Sequence, residues 1–401
     1  MKKVTTLIAS IILFTSFSTT FAESKTFIKE YTYQASEDDS RNSSRTLALL
    51  EVKRLLLEEL GTYLESVTEV QNFQLSKDRI TALTAGIVQT EIMADKWDGD
   101  NLKYWLKAKI VVDSNQVIKS IDALRNDRAK TKELEEIRRR SDELLRENQR
   151  LRKELSVATV EQKPKEIAAY NKTIKDLLAI EWFEKGYTAV FTSNNERNYN
   201  DAIDAYSKAI ELNPNYADAY LFRGFAFSVL LKYGEAIKDF DKAIKLNPKD
   251  EWAYNNRGQS NWYLGNYNQA MKDFSKAIEF NPKDEILYNL RGITYDKLGK
   301  YNQAIKDFNK SIDLNPQNAM SYFSRGVAYA NLGNYQKALR DYDRAIELTP
   351  KFGMANYNRG IAYEHLGYHQ KSINEIKIAA RLGITVAQDY LRSRGIEWKV
   401  P

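Results

Sequence analysis

The sequence predicts a mainly α protein: an α-solenoid of about six helix-turn-helix repeats, preceded by a small α+β domain and a coiled-coil helix. Three observations predict it. Pro214, Pro248, Pro282, Pro316 and Pro350 are each 34 residues apart, and YNLRGITYDKLGKYNQAIKDFNKSIDLNP (288–316) returns from Tyr322 as YFSRGVAYANLGNYQKALRDYDRAIELTP. A fixed period of this size marks stacked repeats. Upstream, alternating stretches flank a leucine-rich helical stretch, and a charged heptad pattern separates these from the repeats.

The chain has 401 residues, room for two or three domains. The net charge of +6 falls to +4 without Lys2 and Lys3, too little and too mixed for a nucleic-acid binder. The absence of cysteine excludes disulfides, thiolate metal sites and a cysteine nucleophile. MKKVTTLIASIILFTSFSTTFA combines two lysines, an apolar run and small residues at Thr20 and Ala22. It reads as a secretory signal peptide over 1–22, cleaved before Glu23. An uncleaved anchor is the alternative. No other segment reaches transmembrane length, so the mature chain is expected without an integral membrane segment, most simply in a bacterial periplasm.

The expected order is an α+β domain over 23–113, a long helix or coiled coil over 114–157 and a linker with a lead-in helix over 158–178. Repeats over 179–386 and a capping helix over 387–401 follow. In the first of these, TFIKEYTYQA (26–35) alternates as a strand. Ser40–Leu60 reads as a helix on Leu47, Leu50, Leu57 and Leu60, stopped by Gly61. A second strand is expected around 66–74, then a short helix from Ser76 to near Gly86. DGDN then turns a hairpin between 87–97 and 102–112. RTLALLEVKRLLLEELGTYLESVTEV, TAGIVQTEI and YWLKAKIVVD resemble the N-terminal domain of the flagellar assembly protein T family and the related LPP20 lipoproteins. That resemblance implies an envelope location and no catalytic residues.

In the charged helix, Leu134, Ser141, Asn148 and Leu155 fall at a positions and Ile137, Leu144 and Leu151 at d positions. Two readings stand: a parallel homodimer through 130–155 with Asn148 setting register, or a single solvated helix. Pro164 is expected to end this helix.

With the recurrent proline at position 32, units start at Ala217, Glu251, Glu285 and Ala319. Each has an aromatic at 4, Gly at 8, Ala at 20 and an aromatic at 24. Gly and Ala let two antiparallel helices approach, and the aromatics fill the space around them. One hairpin cannot bury its apolar faces alone, so neighbours stack. This pattern resembles the tetratricopeptide repeat over about half the chain. Two looser units flank it. WFEKG (182–186) pairs with YNDAIDAYSKAIELNP (199–214) across a longer turn, and a last unit starts at Gly353.

Position 7 is Lys185, Arg223, Arg257, Arg291, Arg325 and Arg359, and position 23 is Asp239, Asp273, Asp307 and Asp341. They read as a ladder between neighbouring repeats, or as cations facing an acidic ligand. In tetratricopeptide proteins the first helices line a groove for an extended or helical peptide. Positions 2, 5, 9 and 12 share that face. Here they are Leu221, Phe225, Trp252, Asn255, Gln259, Trp262, Ile286, Asn289, Ile293, Asp296, Phe323, Val327, Tyr357 and Ile361. Apolar anchors with side-chain amides suit a protein or peptide partner, although packing between repeats would use the same positions. The Lys and Arg of the carboxylate clamp, expected at 2, 5 and 6, are missing, which argues against recognition of a C-terminal carboxylate.

His365, His369 and Glu364 are spaced for a metal, but Gly367 interrupts the helix between them. No nucleotide, dinucleotide or nucleophile motif is present, so neither an enzyme nor a cofactor is expected. Two function classes remain: an exported adaptor that binds a partner and supports an envelope complex, or a self-assembling structural part of an envelope or flagellum-associated complex.

Overall fold

The computed structural model describes residues 24–37, 39–70, 88, 90–113, 117, 128–191 and 198–398. The signal peptide over 1–22, the strand residues 71–74, the short helix from Ser76 and the TSNNER stretch (192–197) lie outside the described residues. The chain forms two compact units, 1–196 and 197–401.

In the first unit, β1 (Ser24–Gln34), β2 (Glu91–Asp98) and β3 (Lys103–Asp113) form an antiparallel sheet of order β1-β3-β2. The register pairs Phe27 with Ile110 and Tyr33 with Tyr104. Alternation divides β3. Tyr104, Leu106, Ala108 and Ile110 are buried, while Lys103 is exposed and Trp105, Lys107 and Lys109 are only partly covered. The helix α1 (Arg41–Val70) packs on β1 and β3. It runs through Gly61 instead of stopping there, and residues 66–70 are helical rather than the start of a strand. The leucine row continues past the glycine: Leu56, Leu60 and Leu64 are fully buried. Each contributes roughly 2 kcal/mol, against about 1 kcal/mol lost at the glycine.

The heptad helix, α2 (Arg128–Val157), turns back within five residues into α3 (Lys163–Phe191), which packs along it. Pro164 therefore opens the second helix rather than ending the first; its missing N–H costs nothing in a first turn. Leu134, Ile137, Asn148, Leu151 and Leu155 are buried within this chain, and so are Tyr170, Ile174, Leu177 and Phe183 on α3. The seam is filled intramolecularly, so a homodimer through 130–155 would have to displace α3. Lys53 of α1 pairs with Glu184 of α3, and Tyr33, Tyr170 and Ser36 converge on the buried carboxylate of Asp39.

The second unit begins with α4 (Tyr199–Leu212). Five helix pairs follow: α5 (Ala217–Val229) with α6 (Tyr233–Leu246), α7 (Glu251–Tyr263) with α8 (Tyr267–Phe280), and α9 (Glu285–Lys297) with α10 (Tyr301–Leu314). Then come α11 (Ala319–Asn331) with α12 (Tyr335–Leu348) and α13 (Gly353–His365) with α14 (His369–Arg381). The helix α15 (Thr385–Ser393) closes the array, burying Ala387 and Leu391 against Ile376, Ala379 and Ala380.

Local chemistry sets the joints. The second helix of the first four pairs ends two residues before the recurrent proline, with Asn247, Asn281, Asn315 and Thr349 as caps whose backbone leaves the helical region. A first helix hands over to a second through a left-handed residue: Gly265, Gly299, Gly333 and Gly367, at φ +71 to +79. The first pair has Leu231 there instead, at φ +61. Gly at position 8 makes room for the ring at 24 more than for Ala at 20. A Cβ on Gly224 would sit 2.8 Å from Phe240, and one on Gly292 2.6 Å from Phe308.

Candidate partner-binding face

The first helices of successive pairs touch directly: α5 with α7, α9 with α11, and α11 with α13. Positions 2, 5, 9 and 12 of these helices point to one face. The position-7 arginines do not lie free on it. Arg223 donates Nε and Nη2 to Asp239 at 2.7 and 2.8 Å, and Arg291 does the same to Asp307. Arg257 and Arg325 hold Asp273 and Asp341 in the same way, and Arg359 reaches Glu375. These pairs, bidentate in all but the last, are internal to a repeat, which corrects half of the ladder expectation. The other half stands. Nη1 of each arginine reaches position 25 of the preceding repeat: Ser207, Asp241, Ser275, Asn309 and Asp343 in turn. Bonds donated to Asp239, Asp307 and Asp341 hold Arg223, Arg291 and Arg325 above the usual arginine range, outweighing burial.

The expected groove residues divide by surroundings. Leu221 and Asn289 are buried in joints, where Asn289 donates Nδ2 to Ser321 Oγ at 3.1 Å. Phe323 packs on Phe352 with ring centroids 4.9 Å apart, and Val327 joins it against Tyr342 and Ala362. Ile293 covers Phe308 and Ala328, while Tyr357 and Ile361 cover Ile376 and its neighbours. Half of the expected groove side chains thus work in packing between repeats. Asp296 accepts from Asn331 of the next repeat at 3.0 Å, and burial raises its carboxyl above the usual range. Asn255 accepts from Gln259 Nε2 at 3.1 Å, and Trp262 lies edge-on to Tyr263.

Trp252 and Ile286 are the open ones, 50% and 53% exposed. Met320 and Met354 occupy the same position 2 in the next two repeats and are 47% and 39% exposed. They were legible from the 34-residue spacing alone, yet are not among the expected residues. The result is one open apolar side chain per repeat along four successive first helices.

Between α5 and α7 lies a cavity of about 290 Å³. Phe225 and Gln259 line it, joined by Val229, Leu231, Tyr233, Asn256 and Tyr263. Tyr233 and Tyr263 stack nearly parallel, 5.0 Å apart. Leu231, 70% exposed, reaches the cavity from its left-handed backbone. That conformation costs a leucine about 1–2 kcal/mol. Leu231→Gly is expected to stabilise the chain by about 1 kcal/mol, read as a raised urea midpoint, because little buried contact is lost. An unchanged or lowered midpoint would show the backbone there to be unstrained.

His365 ends α13 and stacks on Tyr335, while His369 opens α14 and faces Glu364 at 3.1 Å. Among the described residues no group of three or more His, Cys, Asp or Glu side chains gathers as for a metal. No described helix is long and apolar enough to cross a membrane.

Models described as tetratricopeptide repeat match residues 251–284, 289–351 and 329–383, and one described as TPR repeat matches 197–228 and 232–265. No curated protein matches the chain. Among solved structures it is similar to YrrB, titled a TPR protein with an unusual peptide-binding site. That match is 24% identical, covers 47% of this chain and 99% of that one, and has a TM-score of 0.41. A MamA structure is 27% identical over 38% of this chain and 90% of its own, with a TM-score of 0.37. The first TPR of Spaghetti (RPAP3), bound to the HSP90 peptide SRMEEVD, is 26% identical over 29% of this chain and 93% of its own, at 0.29. The helix pairs, their period and the matched models agree, and residues 197–383 are a run of tetratricopeptide repeats.

Proposed function

We propose that this protein is an exported, non-enzymatic scaffold that binds a protein or peptide partner on the face of its first helices and supports assembly of an envelope complex. One observation carries the binding role: the row of Trp252, Ile286, Met320 and Met354, each 39% to 53% exposed at the same position of four successive repeats. Apolar side chains held open at this spacing supply the anchors that an extended or helical segment needs. The cavity beside Phe225 and Gln259 adds a pocket for one large side chain. Export rests on the first 22 residues, with their lysines, apolar run and small residues before Glu23. The envelope role rests on that signal and on the resemblance of the N-terminal domain.

The test uses the mature chain and its Trp252→Ala plus Ile286→Ala variant as baits in envelope extract. Both side chains are half exposed, so the variant is expected to fold and melt as the parent does. A captured protein should bind the parent at least about tenfold more tightly than the variant. Equal capture by both would sink the reading. A variant that loses its oligomeric state instead would favour the self-assembling structural role.

A further inference from the structure

With each position-7 arginine set against its own position-23 carboxylate, α7 and α9 keep an acidic excess and α8 and α10 a basic one. Along the first helices, acidic groups stand at the N-terminal ends: Asp250 and Glu251 before and at the start of α7, Asp284 and Glu285 at α9. Asp296 follows at position 12 of α9. Their hydrogen-bond partners are neutral. Asp250 accepts from the Ala253 backbone at 3.1 Å and Asp284 from the Ile286 backbone at 2.8 Å. Glu285 accepts from Asn315 at 3.0 Å, and Asp296 from Asn331 at 3.0 Å. Asn281 favours the ionised form of Glu251. Among the described residues, none of these five carboxylates has a Lys, Arg or His within 4 Å.

The same carboxylates press on one another. Asp250 and Glu251 both lie above the usual carboxylate range, through burial first, with Asp218 adding to the first and Asp284 to the second. The arginines of these helices leave that charge unbalanced, because each is spent on its own position-23 carboxylate. The apolar row begins in the middle of this region: Trp252 and Ile286 each directly follow a glutamate.

Resting on the binding role proposed above, we infer that the occupant of this face is a cationic–apolar peptide segment. Its apolar side chains seat on Trp252, Ile286 and Met320, and its Lys or Arg side chains meet Glu251, Glu285 and Asp296. Charge complementarity selects this occupant. An acidic or neutral segment would bring no counter-charge to carboxylates that, among the described residues, form no salt bridge, Asp296 having only Lys297 in its wider surroundings, and an acidic one would be repelled. A second copy of the chain is disfavoured as the occupant by the same reasoning, since it would bring its own acidic face unless it docked through its lysine-bearing second helices.

The experiment uses the full mature chain and three fluorescent peptides of about twelve residues with the same Phe and Leu positions. The remaining positions are all Lys, all Ser or all Glu. Affinities are read by anisotropy at about 50 and about 300 mM salt. The lysine peptide is expected to bind at least about tenfold more tightly than the serine peptide at low salt, and the glutamate peptide more weakly than both. Glu251→Gln, Glu285→Gln and Asp296→Asn combined keep the side-chain shapes. They should erase the lysine advantage and leave the serine peptide unchanged. Trp252→Ala plus Ile286→Ala should weaken all three. Serine and lysine peptides binding alike, or a lysine advantage that survives the triple variant, would overturn the charge inference while leaving the binding role intact. No binding of any peptide, with self-association lost in the triple variant, would overturn it in favour of a second copy. No binding and no self-association would sink both.

Discussion

Asp273→Ala is expected to destabilise the array by about 3–5 kcal/mol, the largest effect of any single carboxylate in it. The Asp273 side chain is 2% exposed, and four donors converge on it. Arg257 supplies Nε and Nη2 at 3.1 and 2.6 Å, Asn261 Nδ2 at 3.2 Å and Gln269 Nε2 at 3.3 Å. Asn261 stands where the other repeats have an aromatic, and this bond explains why the position tolerates a buried amide. Removing the carboxylate strands a guanidinium that is 16% exposed, with Asp241 as its remaining partner. Burial already works against the charge of Arg257, and only its bonds to Asp273 and Asp241 offset that. The loss should appear in urea unfolding followed by circular dichroism. Arg257→Met with Asp273→Leu should recover much of it, because then neither charge is left unpaired. A single-variant cost below about 1 kcal/mol would mean that this buried pair holds little of the fold.

Gly292→Val should cost about 3 kcal/mol by the opposite mechanism, too much matter rather than too little charge. The new Cβ would lie 2.6 Å from Cε1 and 2.8 Å from Cδ1 of Phe308, a ring that is 1% exposed and cannot swing into solvent. Either α9 and α10 separate or the ring leaves its rotamer. Gly234→Ala is the matched control. A Cβ there meets nothing within 4 Å, so this change in the first turn of α6 should be neutral or stabilise by up to about 1 kcal/mol. Thermal melts of the two variants should therefore move in opposite directions or differ by more than about 5 °C. Equal melts would refute the close approach at position 8.

The repeats were legible because a 34-residue period fixes helix ends, turn glycines and small-residue contacts together, so that each position is read several times. In the N-terminal unit each position occurs only once, and single residues mislead. Gly61 looks like a stop, but the leucines on both sides of it bury one face, and tertiary packing outweighs a glycine inside a helix. Pro164 looks like an end, and the same ring serves equally well as a beginning. The heptads of α2 were legible as an apolar seam, but the identity of its partner was not, since a helix from the same chain satisfies the pattern as well as a second copy does. On the candidate face, Trp252 and Ile286 were found, while Asn289 and Phe323 turned out to serve the joints. Which side of a first helix opens to solvent depends on how neighbouring pairs lean, and that is written in three dimensions. Leu231 and its cavity belong to the same class.

The third nitrogen of each position-7 arginine gives the array a property that its uniform outline hides. It meets a carboxylate at Asp241 and Asp343, a hydroxyl at Ser207 and Ser275, and an amide at Asn309. Dissolved ions weaken the two charged contacts, whose aspartates are 56% and 48% exposed, and leave the neutral ones nearly untouched. Seen as a mechanical object, the array is a spring whose turns look alike but whose stiffness is set joint by joint. Ionic strength softens it at Arg257 and at Arg359, the second and the last of the five joints, and spares the two between them, where Asn289, Ser311 and Ser321 form a buried clasp. The open apolar row crosses both kinds of joint, so a partner lying along it would rest on two joints that salt leaves alone and one that salt loosens.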